Sequence, residues 1–260
     1  MPRETVSVII PTYNAERTIR QCLEALTWAD AVIVVDMFST DETPKICQSF
    51  PNVRFYQRKA YIFENVNYGF DQADTDWVIR LDSDEIIQQD LRDAILRVLE
   101  NPEPGISGYY FRGVHYMFGQ PMRYGPYLDE FCWRKHMFRR GTARYQCHSE
   151  HEDITTTGEL KRLPGHYLHL TNPTVEELIR KMNYYTERDA ERYTDEELYP
   201  PSRLKVIWRA CKLFYLYYIR YKGYKDGYAG FFCAFFRGAF YQGLEAAKRW
   251  ERWRDKQAKS

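Results

Sequence analysis

The chain of 260 residues lacks the features that mark several classes of protein. Its six cysteines are scattered and include no C-x-x-C pair, which favours reduced thiols over a disulfide framework. It has no run of about 18 uncharged apolar residues, so we expect no transmembrane helix. Residues 1–5 lead directly into a strand-like run, so we expect no signal peptide. Internal repeats are absent too, which leaves one large or two small globular domains.

Common zinc patterns are missing as well, although cysteine and histidine cluster in one short region. Cys132, His136, Cys147, His148 and His151 lie within 20 residues, but their spacing matches no common zinc motif. A zinc centre stays the alternative interpretation of this region. Stoichiometric zinc in the purified protein, lost together with the fold in a chelator, would establish it.

Charge is distributed unevenly along the chain, although the net charge is only +1. Residues 201–260 contain 14 Lys and Arg but 4 Asp and Glu, so the rest of the chain is acidic. The same segment is rich in aromatic residues. Basic aromatic helices of this kind lie in the headgroup plane of an anionic membrane, and we expect residues 203–241 to bind such a surface. A soluble helical cap and an oligomer interface are the alternatives, and no nucleic-acid motif accompanies the charge.

Short apolar runs and amphipathic segments alternate over the first 100 residues. Strands are predicted at 6–10, 31–35, 53–56 and 77–81, and helices at 14–26, 39–47, 65–73 and 91–99. This order predicts an α/β fold with a mostly parallel central sheet flanked by helices. Residues 105–170 are richer in Gly, Tyr and short strand-like pieces and hold all six histidines, and the remainder is predicted to be helical.

Polar side chains follow four successive predicted strands at the point where each strand ends. The most informative are Asp82, Ser83 and Asp84, directly after a buried strand. The turn at 11–16, Asp36 and Arg58 follow the other three strands, and the carboxyl ends of parallel strands meet in one crevice. Carboxylate oxygens suit Mg²⁺ or Mn²⁺, which bind through one or two carboxylates plus substrate phosphates. The alternative for each position is ordinary turn or helix-cap chemistry.

Three stretches resemble the family 2 glycosyltransferases of GT-A fold. They are P-T-Y-N-A-E at residues 11–16, V-V-D with S-T-D-E-T between 34 and 43, and W-V-I-R-L-D-S-D-E at 77–85. The subgroup that looks closest is the lipopolysaccharide core glucosyltransferase-like enzymes. The resemblance implies a GT-A catalytic domain at 1–172, with a nucleotide-sugar half at 1–104 and an acceptor half at 105–172. Residues 173–260 would form a helical, aromatic and basic membrane-associating region.

The resemblance also implies roles for individual residues in binding the donor and the metal. Pro11, Thr12, Tyr13 and Glu16 would line the base and ribose, and Asp36 would hold uracil or another base. Arg58 and Asn67 would approach the nucleotide or sugar. Asp82 would face the ribose and sugar with Ser83 beside it in the same site. Asp84 would ligate Mg²⁺ or Mn²⁺, with Asp82 as a partner and His169 completing the shell. His166 is the second candidate for that last position.

One position departs from the pattern of the family. Many relatives carry a second Asp where this chain has Met37, so base identity stays open, with a UDP-sugar as the expected donor.

The catalytic base implied by the resemblance is an acidic residue in the acceptor half. An inverting displacement needs a group that deprotonates the acceptor hydroxyl on the face opposite the leaving group. Glu152 is the first candidate and Asp153 the second, and a solvated acidic loop is the alternative for either.

These expectations combine into one function. The chain is predicted to be an inverting, metal-dependent enzyme that transfers a sugar from a nucleoside-diphosphate sugar to a lipid-linked glycan such as lipopolysaccharide core. It would be bound peripherally to the inner face of the cytoplasmic membrane, with no nucleic acid as partner and a homo-oligomer as an open possibility. The alternatives are a catalytically inactive membrane-bound scaffold and a sugar nucleotidyltransferase, whose glycine-rich phosphate loop is absent here.

Overall fold

A computed structural model describes residues 2–147, 153–172, 174–194 and 202–258. The chain forms two compact units. The first contains residues 1–113 and 132–169, and the second contains 114–131 and 170–260. The predicted domain division at 172 stays a prediction.

The first unit is built on a large sheet with helices on both of its faces. The strands of the chain are β1 Val6–Thr12, β2 Ala31–Asp36, β3 Val53–Gln57, β4 Trp77–Arg80, β5 Glu85–Ile87, β6 Ile106–Met117, β7 Gln120–Pro121, β8 Trp133–Arg139, β9 Ala143–Arg144, β10 Thr155–Thr156, β11 Glu159–Arg162 and β12 Tyr167–Asn172. Strands β9 and β10 pair in a separate two-stranded sheet. Strand β7 belongs to the second unit, and β6 and β12 continue into it. The helices of the first unit are α1 Ile19–Glu24, α2 Thr43–Gln48, α3 Ile62–Gln72 and α4 Gln89–Glu100.

Parallel pairing dominates the first half of the sheet. The strand order is β3-β2-β1-β4-β8-β6-β12-β5, and β3, β2, β1 and β4 pair in parallel. All residues of β1 and β2 are buried, as expected for central strands that are covered on both faces. From β8 onward the neighbouring strands β4–β8, β8–β6 and β12–β5 are antiparallel. The parallel half therefore aligns the carboxyl ends of four strands, which is the edge where the predicted site residues lie.

Alternation of side chains along each strand creates two separate apolar cores. Val8 and Ile10 of β1 face one core with α1, α2 and α4, while Ile9 faces the other with α3. The sheet is thus covered on both sides, and the predicted α/β fold of GT-A type with a helical C-terminal region is confirmed.

One predicted helix start is wrong. The Ser39-Thr40-Asp41-Glu42 spacing predicts a capping box, yet α2 begins at Thr43. The Ser39 hydroxyl is instead hydrogen-bonded to Asp36, and Asp41 accepts a hydrogen bond from the Thr43 amide at 3.0 Å. These side chains order the loop before α2, because short polar side chains can bond to nearby groups instead of capping the helix.

The second unit is largely helical. It contains α5 Val175–Glu191, α6 Arg203–Tyr215, α7 Gly227–Ala234 and α8 Tyr241–Gln257, with π-helical turns at Leu216–Arg220 and Phe235–Phe240. The Thr174-Val175-Glu176-Glu177 spacing predicts a capping box, and this helix start is confirmed, since the Thr174 hydroxyl accepts a hydrogen bond from the Glu177 amide at 3.2 Å. Within the described ranges, the helices are all too short or too polar to cross a membrane.

Candidate active site

The turn after β1 is tied to the loop after β2 by a set of side-chain to backbone hydrogen bonds. Asn14 adopts a left-handed backbone (φ 47°), which asparagine tolerates better than most residues. Its amide donates to the Ser39 hydroxyl and its side-chain oxygen accepts from the Thr40 amide, both at 2.8 Å. The Glu16 carboxylate accepts from the Glu42 amide at 3.2 Å. The two loops therefore form one braced rim at the carboxyl edge of the sheet.

The predicted base-binding residues on this rim differ in their exposure. Pro11 and Thr12 are buried within β1, whereas Tyr13 is 54% exposed and Glu16 is exposed. Tyr13 is thus available to stack on a planar ligand from solvent. Thr12 is buried, and its hydroxyl has no hydrogen-bond partner among the described residues. These assignments stay predictions.

Asp36 is fully buried at the end of β2, and its carboxylate is already engaged. One oxygen accepts from the Ser39 amide at 3.0 Å and from the Gln57 side-chain amide at 3.1 Å, while the other is bonded to the Ser39 hydroxyl. A carboxylate with these partners orders the loop after β2, whether or not it also reaches a base. Its predicted contact with the base stays a prediction.

Arg58 and Asn67 lie on or beside α3 and have different surroundings. The guanidinium of Arg58 donates to the Asn65 side chain at 3.1 Å and lies 3.7 Å from the Glu64 carboxylate, so it stays near the loop surface. The Asn67 side chain is 8% exposed. Its amide nitrogen donates to the Tyr145 carbonyl oxygen at 2.8 Å, and its oxygen accepts from the Tyr145 amide at 3.0 Å. Asn67 therefore fixes the segment that precedes the acidic loop around residue 153.

The side chains of the acidic cluster after β4 have different partners and different burial, which their spacing in the sequence does not reveal. Asp82 pairs with Arg80 at 2.7 Å, and the Asp82 amide donates to the Glu85 carboxylate at 2.9 Å. Ser83 and Asp84 are half-buried between them. Glu85 is buried, and its pKa is raised by burial first and by the nearby Asp82 charge, which together outweigh His169 and Arg80.

His169 is brought to this cluster by strand pairing. β12 runs antiparallel to β5, and the register sets His169 opposite Glu85. Its Nε2 then lies 3.5 Å from an Asp84 carboxylate oxygen. Burial opposes the imidazolium charge, but Asp84, Glu85 and Asp82 outweigh that effect and raise the pKa of His169 to about 9. His166 has a different partner, because its Nδ1 lies 2.7 Å from the Asp90 carboxylate.

The Asp84 and His169 pair fits a divalent cation that displaces the imidazolium proton, because only a neutral imidazole binds a metal. Donor atoms 3.5 Å apart can both reach one ion at about 2.1 Å, and Mg²⁺ usually keeps substrate oxygens and waters as its other ligands. The described residues contain no group of three or more His, Cys, Asp or Glu side chains arranged to hold a metal. A two-residue protein anchor completed by a diphosphate is therefore the arrangement that these side chains suit.

His136 is a neighbour of the cluster, and its sequence context predicted no role for it beyond the zinc alternative. It is buried on β8, stacked on Phe111, and its Nδ1 lies 2.6 Å from the Arg80 carbonyl oxygen. Burial lowers its pKa to about 3, so the ring is neutral and donates Nδ1–H to that carbonyl. The contact holds the end of β4, from which Asp82 projects. Its only signal in the sequence is its position directly before the buried pair Met137 and Phe138, on a strand that otherwise carries three cations.

The two candidates for the base fall in a segment that is only partly described. Glu152 lies outside the described residues, as do His148 and His151 of the zinc alternative. Asp153 is 75% exposed at its side chain. One of its oxygens lies 2.7 Å from Lys135 Nζ, and the other accepts from the Ile154 amide at 2.9 Å.

The fold and the family match identify a glycosyltransferase of GT-A fold. The family model described as "Glycosyl transferase family 2" matches residues 7–158, more than half of the chain, so the chain belongs to this family. It is similar to the lipopolysaccharide core biosynthesis glycosyltransferase LpsC of Rhizobium meliloti, with 27% identity over 97% of this chain and 94% of that protein. An uncharacterized glycosyltransferase of Rickettsia typhi, RT0209, is 25% identical over 94% of this chain and 89% of its own length.

Two solved structures have related folds at low sequence identity. The mannosyltransferase PcManGT from Pyrobaculum calidifontis, in complex with GDP-Man and Mn²⁺, is 17% identical, with a TM-score of 0.49 over 74% of this chain and 65% of that chain. Residues 1–349 of S. aureus TarS, in complex with UDP-GlcNAc, are 15% identical, with a TM-score of 0.47 over 98% of this chain and 92% of that chain.

Proposed function

We propose that this glycosyltransferase is metal-dependent and inverting, and that it moves a sugar from a UDP-sugar to a lipid-linked glycan of the lipopolysaccharide core type. The observation that carries the proposal is the meeting of His169 and Asp84 at the carboxyl end of β4. A divalent cation bound there would stabilise the diphosphate leaving group as a Lewis acid. The similarity to a lipopolysaccharide core enzyme over nearly the whole chain supports the choice of acceptor class.

The residues of the chain itself bind and orient the donor. The braced rim presents exposed Tyr13 and Glu16 beside the end of β1 for the base and ribose. Asp82, fixed by Arg80 and Glu85, is half-buried and faces the same edge of the sheet, where it suits hydroxyl groups of the ribose and sugar. Asp36 supports this rim from beneath through Ser39 and Gln57.

Glu152 is the preferred catalytic base. Both oxygens of Asp153 already have partners, namely Lys135 and the Ile154 amide. An acceptor hydroxyl would have to compete with a close cation for the Asp153 carboxylate, which favours Glu152 as the group that takes the proton. Glu152→Gln should keep donor binding and stop transfer, whereas Asp153→Asn should retain most of the transfer rate. The reverse pattern in a transfer assay would assign the base to Asp153.

Donor binding is tested by thermal shift with a panel of nucleotide sugars, with and without Mn²⁺. We expect a stabilisation that depends on both ligands and is largest for a UDP-sugar. Asp84→Asn should lose the metal-dependent part, while Asp93→Asn, an exposed carboxylate on α4, serves as the matched control. If no sugar nucleotide stabilises the protein in a metal-dependent way, the protein is instead an inactive scaffold of the same fold.

The exposed face of α6 supports peripheral attachment to a membrane. α6, described along its full length, buries none of its residues, and Leu204, Trp208 and Tyr215 recur at helical spacing with more than half of each side chain exposed. Lys212 lies over the Trp208 ring at 4.8 Å, so the cations flank this apolar stripe. This pattern suits an anionic leaflet, where each nearby cation contributes about 1 kcal/mol.

Flotation with liposomes tests this attachment. The full chain should float with anionic liposomes, and the double substitution Leu204→Ser and Trp208→Ser should reduce the floated fraction severalfold. The exposed pair Ile179→Ser and Tyr184→Ser on α5 is the matched control. Equal flotation of all three proteins would reject α6 as the attachment surface.

A further inference from the structure

A polar cleft of about 320 Å³ lies within the second unit, apart from every residue assigned above to donor or metal. It opens between the C-terminal end of α5, the middle of α6 and the start of α8. Its volume falls at the lower end of the range for small-molecule sites and would accommodate a monosaccharide or a disaccharide. The side chains on its walls indicate which class of molecule it suits.

Glu245 gives the cleft a buried acceptor. The side chain is 7% exposed, and the Tyr193 hydroxyl is hydrogen-bonded to its carboxylate. The carboxylate oxygen Oε1 is buried and accepts no hydrogen bond from the described part of the chain. A buried polar atom without a partner destabilises the protein, so a hydrogen-bond donor on a ligand would be bound favourably there.

Charge on the walls is balanced. Asp189 and Glu245 supply two carboxylates, and Arg192 and Arg209 supply two guanidinium groups. Arg192 lies 3.6 Å from Asp189, which also accepts from the Tyr241 hydroxyl. A phosphate would meet both carboxylates, whereas a neutral ligand with several hydroxyl groups can donate to the carboxylates and accept from the guanidinium groups.

Tyrosine rings complete the lining. Tyr193 and Tyr241 both border the cleft, and Tyr193 is held by the Arg249 guanidinium, which lies 4.0 Å from its ring centroid. Aromatic faces beside hydrogen-bonding groups suit the mixed apolar and hydroxylated surface of a sugar ring.

We propose that this cleft is a saccharide-binding site that holds a neutral sugar residue of the acceptor glycan. The proposal rests on the proposed function for the identity of the ligand as acceptor. The lining residues Glu245 and Arg192 bind the sugar hydroxyls, the first as acceptor and the second as donor.

Saturation-transfer NMR on the full chain tests the site. The probes are methyl α-glucoside, methyl α-galactoside, methyl α-mannoside and N-acetylglucosamine, with inorganic phosphate as the anionic comparison. We expect at least one saccharide to bind, and Glu245→Gln and Arg192→Ala each to weaken it about tenfold, because each replaces or removes a charge-assisted hydrogen bond. Arg180→Ala, at an exposed position of α5 away from the cleft, should bind as the unmodified protein does.

Three results would each overturn the proposal. The first is that no saccharide binds, and the second is that phosphate displaces the sugars. The third is that Glu245→Gln and Arg192→Ala bind the sugars as well as the unmodified protein does. Donor binding is measured on the same preparations by thermal shift with a UDP-sugar and Mn²⁺. A normal donor shift without saccharide binding refutes the cleft alone. Saccharide binding without a donor shift refutes the proposed donor function and leaves the cleft as a sugar site.

Discussion

The buried imidazole of His136 makes a quantitative prediction about stability and pH. The ring is 1% exposed, and its pKa is lowered to about 3 in the folded protein, against about 6.5 in an unfolded chain. Above about pH 6.5 the ring is neutral in both states and its full contribution to stability is present. As the pH falls below that value only the unfolded chain takes up the proton, so stability is lost.

The size of this loss follows from the difference between the two pKa values. At about pH 5 the unfolded state gains about 2 kcal/mol from protonation, while the folded state gains almost nothing. His136→Asn retains a side-chain N–H that can donate to the Arg80 carbonyl, but it does not titrate. Its loss of stability between about pH 7.5 and about pH 5 should therefore be smaller by about 2 kcal/mol than that of the unmodified protein.

Urea denaturation of both proteins at the two pH values measures this difference directly. His136→Ala is the control that separates titration from packing, because it removes the hydrogen bond and the stacking on Phe111 as well. It should be less stable than His136→Asn at both pH values and share its weaker pH dependence. If the unmodified protein and His136→Asn lose the same stability on acidification, the buried neutral ring inferred here is wrong.

Three further predictions concern packing, loop attachment and helix capping. A Cβ at Gly230 would lie 1.9 Å from the Gly223 carbonyl oxygen, so Gly230→Ala should lower the free energy of unfolding by about 3 kcal/mol in chemical denaturation. Gly243→Ala is the control, because its Cβ would meet no described atom within 4 Å, and it should be neutral or slightly stabilising. Equal effects of the two substitutions would refute this packing. Asn67→Ala removes both hydrogen bonds between this side chain and the Tyr145 backbone, so it should lower stability by about 2 kcal/mol even without donor. An unchanged melting temperature with weaker donor binding would assign Asn67 to the ligand instead. Thr174→Ala removes the cap of α5 and should cost about 1 kcal/mol, with Thr174→Ser as the conservative control that retains stability.

Some of these features were readable from local pattern alone. The alternation of strands and helices in the first 100 residues predicted β1 to β4 and the helices between them, because runs of β-branched residues must be buried on both faces of a parallel sheet. Strand ends in such a sheet share one edge, so the placement of Asp36, Arg58 and Asp82 followed from the order of strands. The family followed from the same short motifs.

The limits of the sequence appear where one side chain has several possible partners. Ser39 and Asp41 have the spacing of a helix cap, yet their side chains accept hydrogen bonds from the amides of Asn14 and Glu16, each 25 residues earlier in the chain. Asn67 has the type and position of a ligand-binding residue, but its amide is bonded to a backbone segment almost eighty residues away. Local spacing carries no information about such contacts.

The sequence by itself determined that Asp82, Ser83 and Asp84 end a buried strand and that His169 lies between apolar neighbours on a later one. Only the tertiary structure decided that these belong together, through the antiparallel register of β12 with β5 that sets His169 opposite Glu85 and 3.5 Å from Asp84. It also decided that His136 is neutral and that Glu85 is buried beside it. The physical reason is that strand pairing and burial depend on residues far apart in the chain, whereas sequence patterns report only on near neighbours.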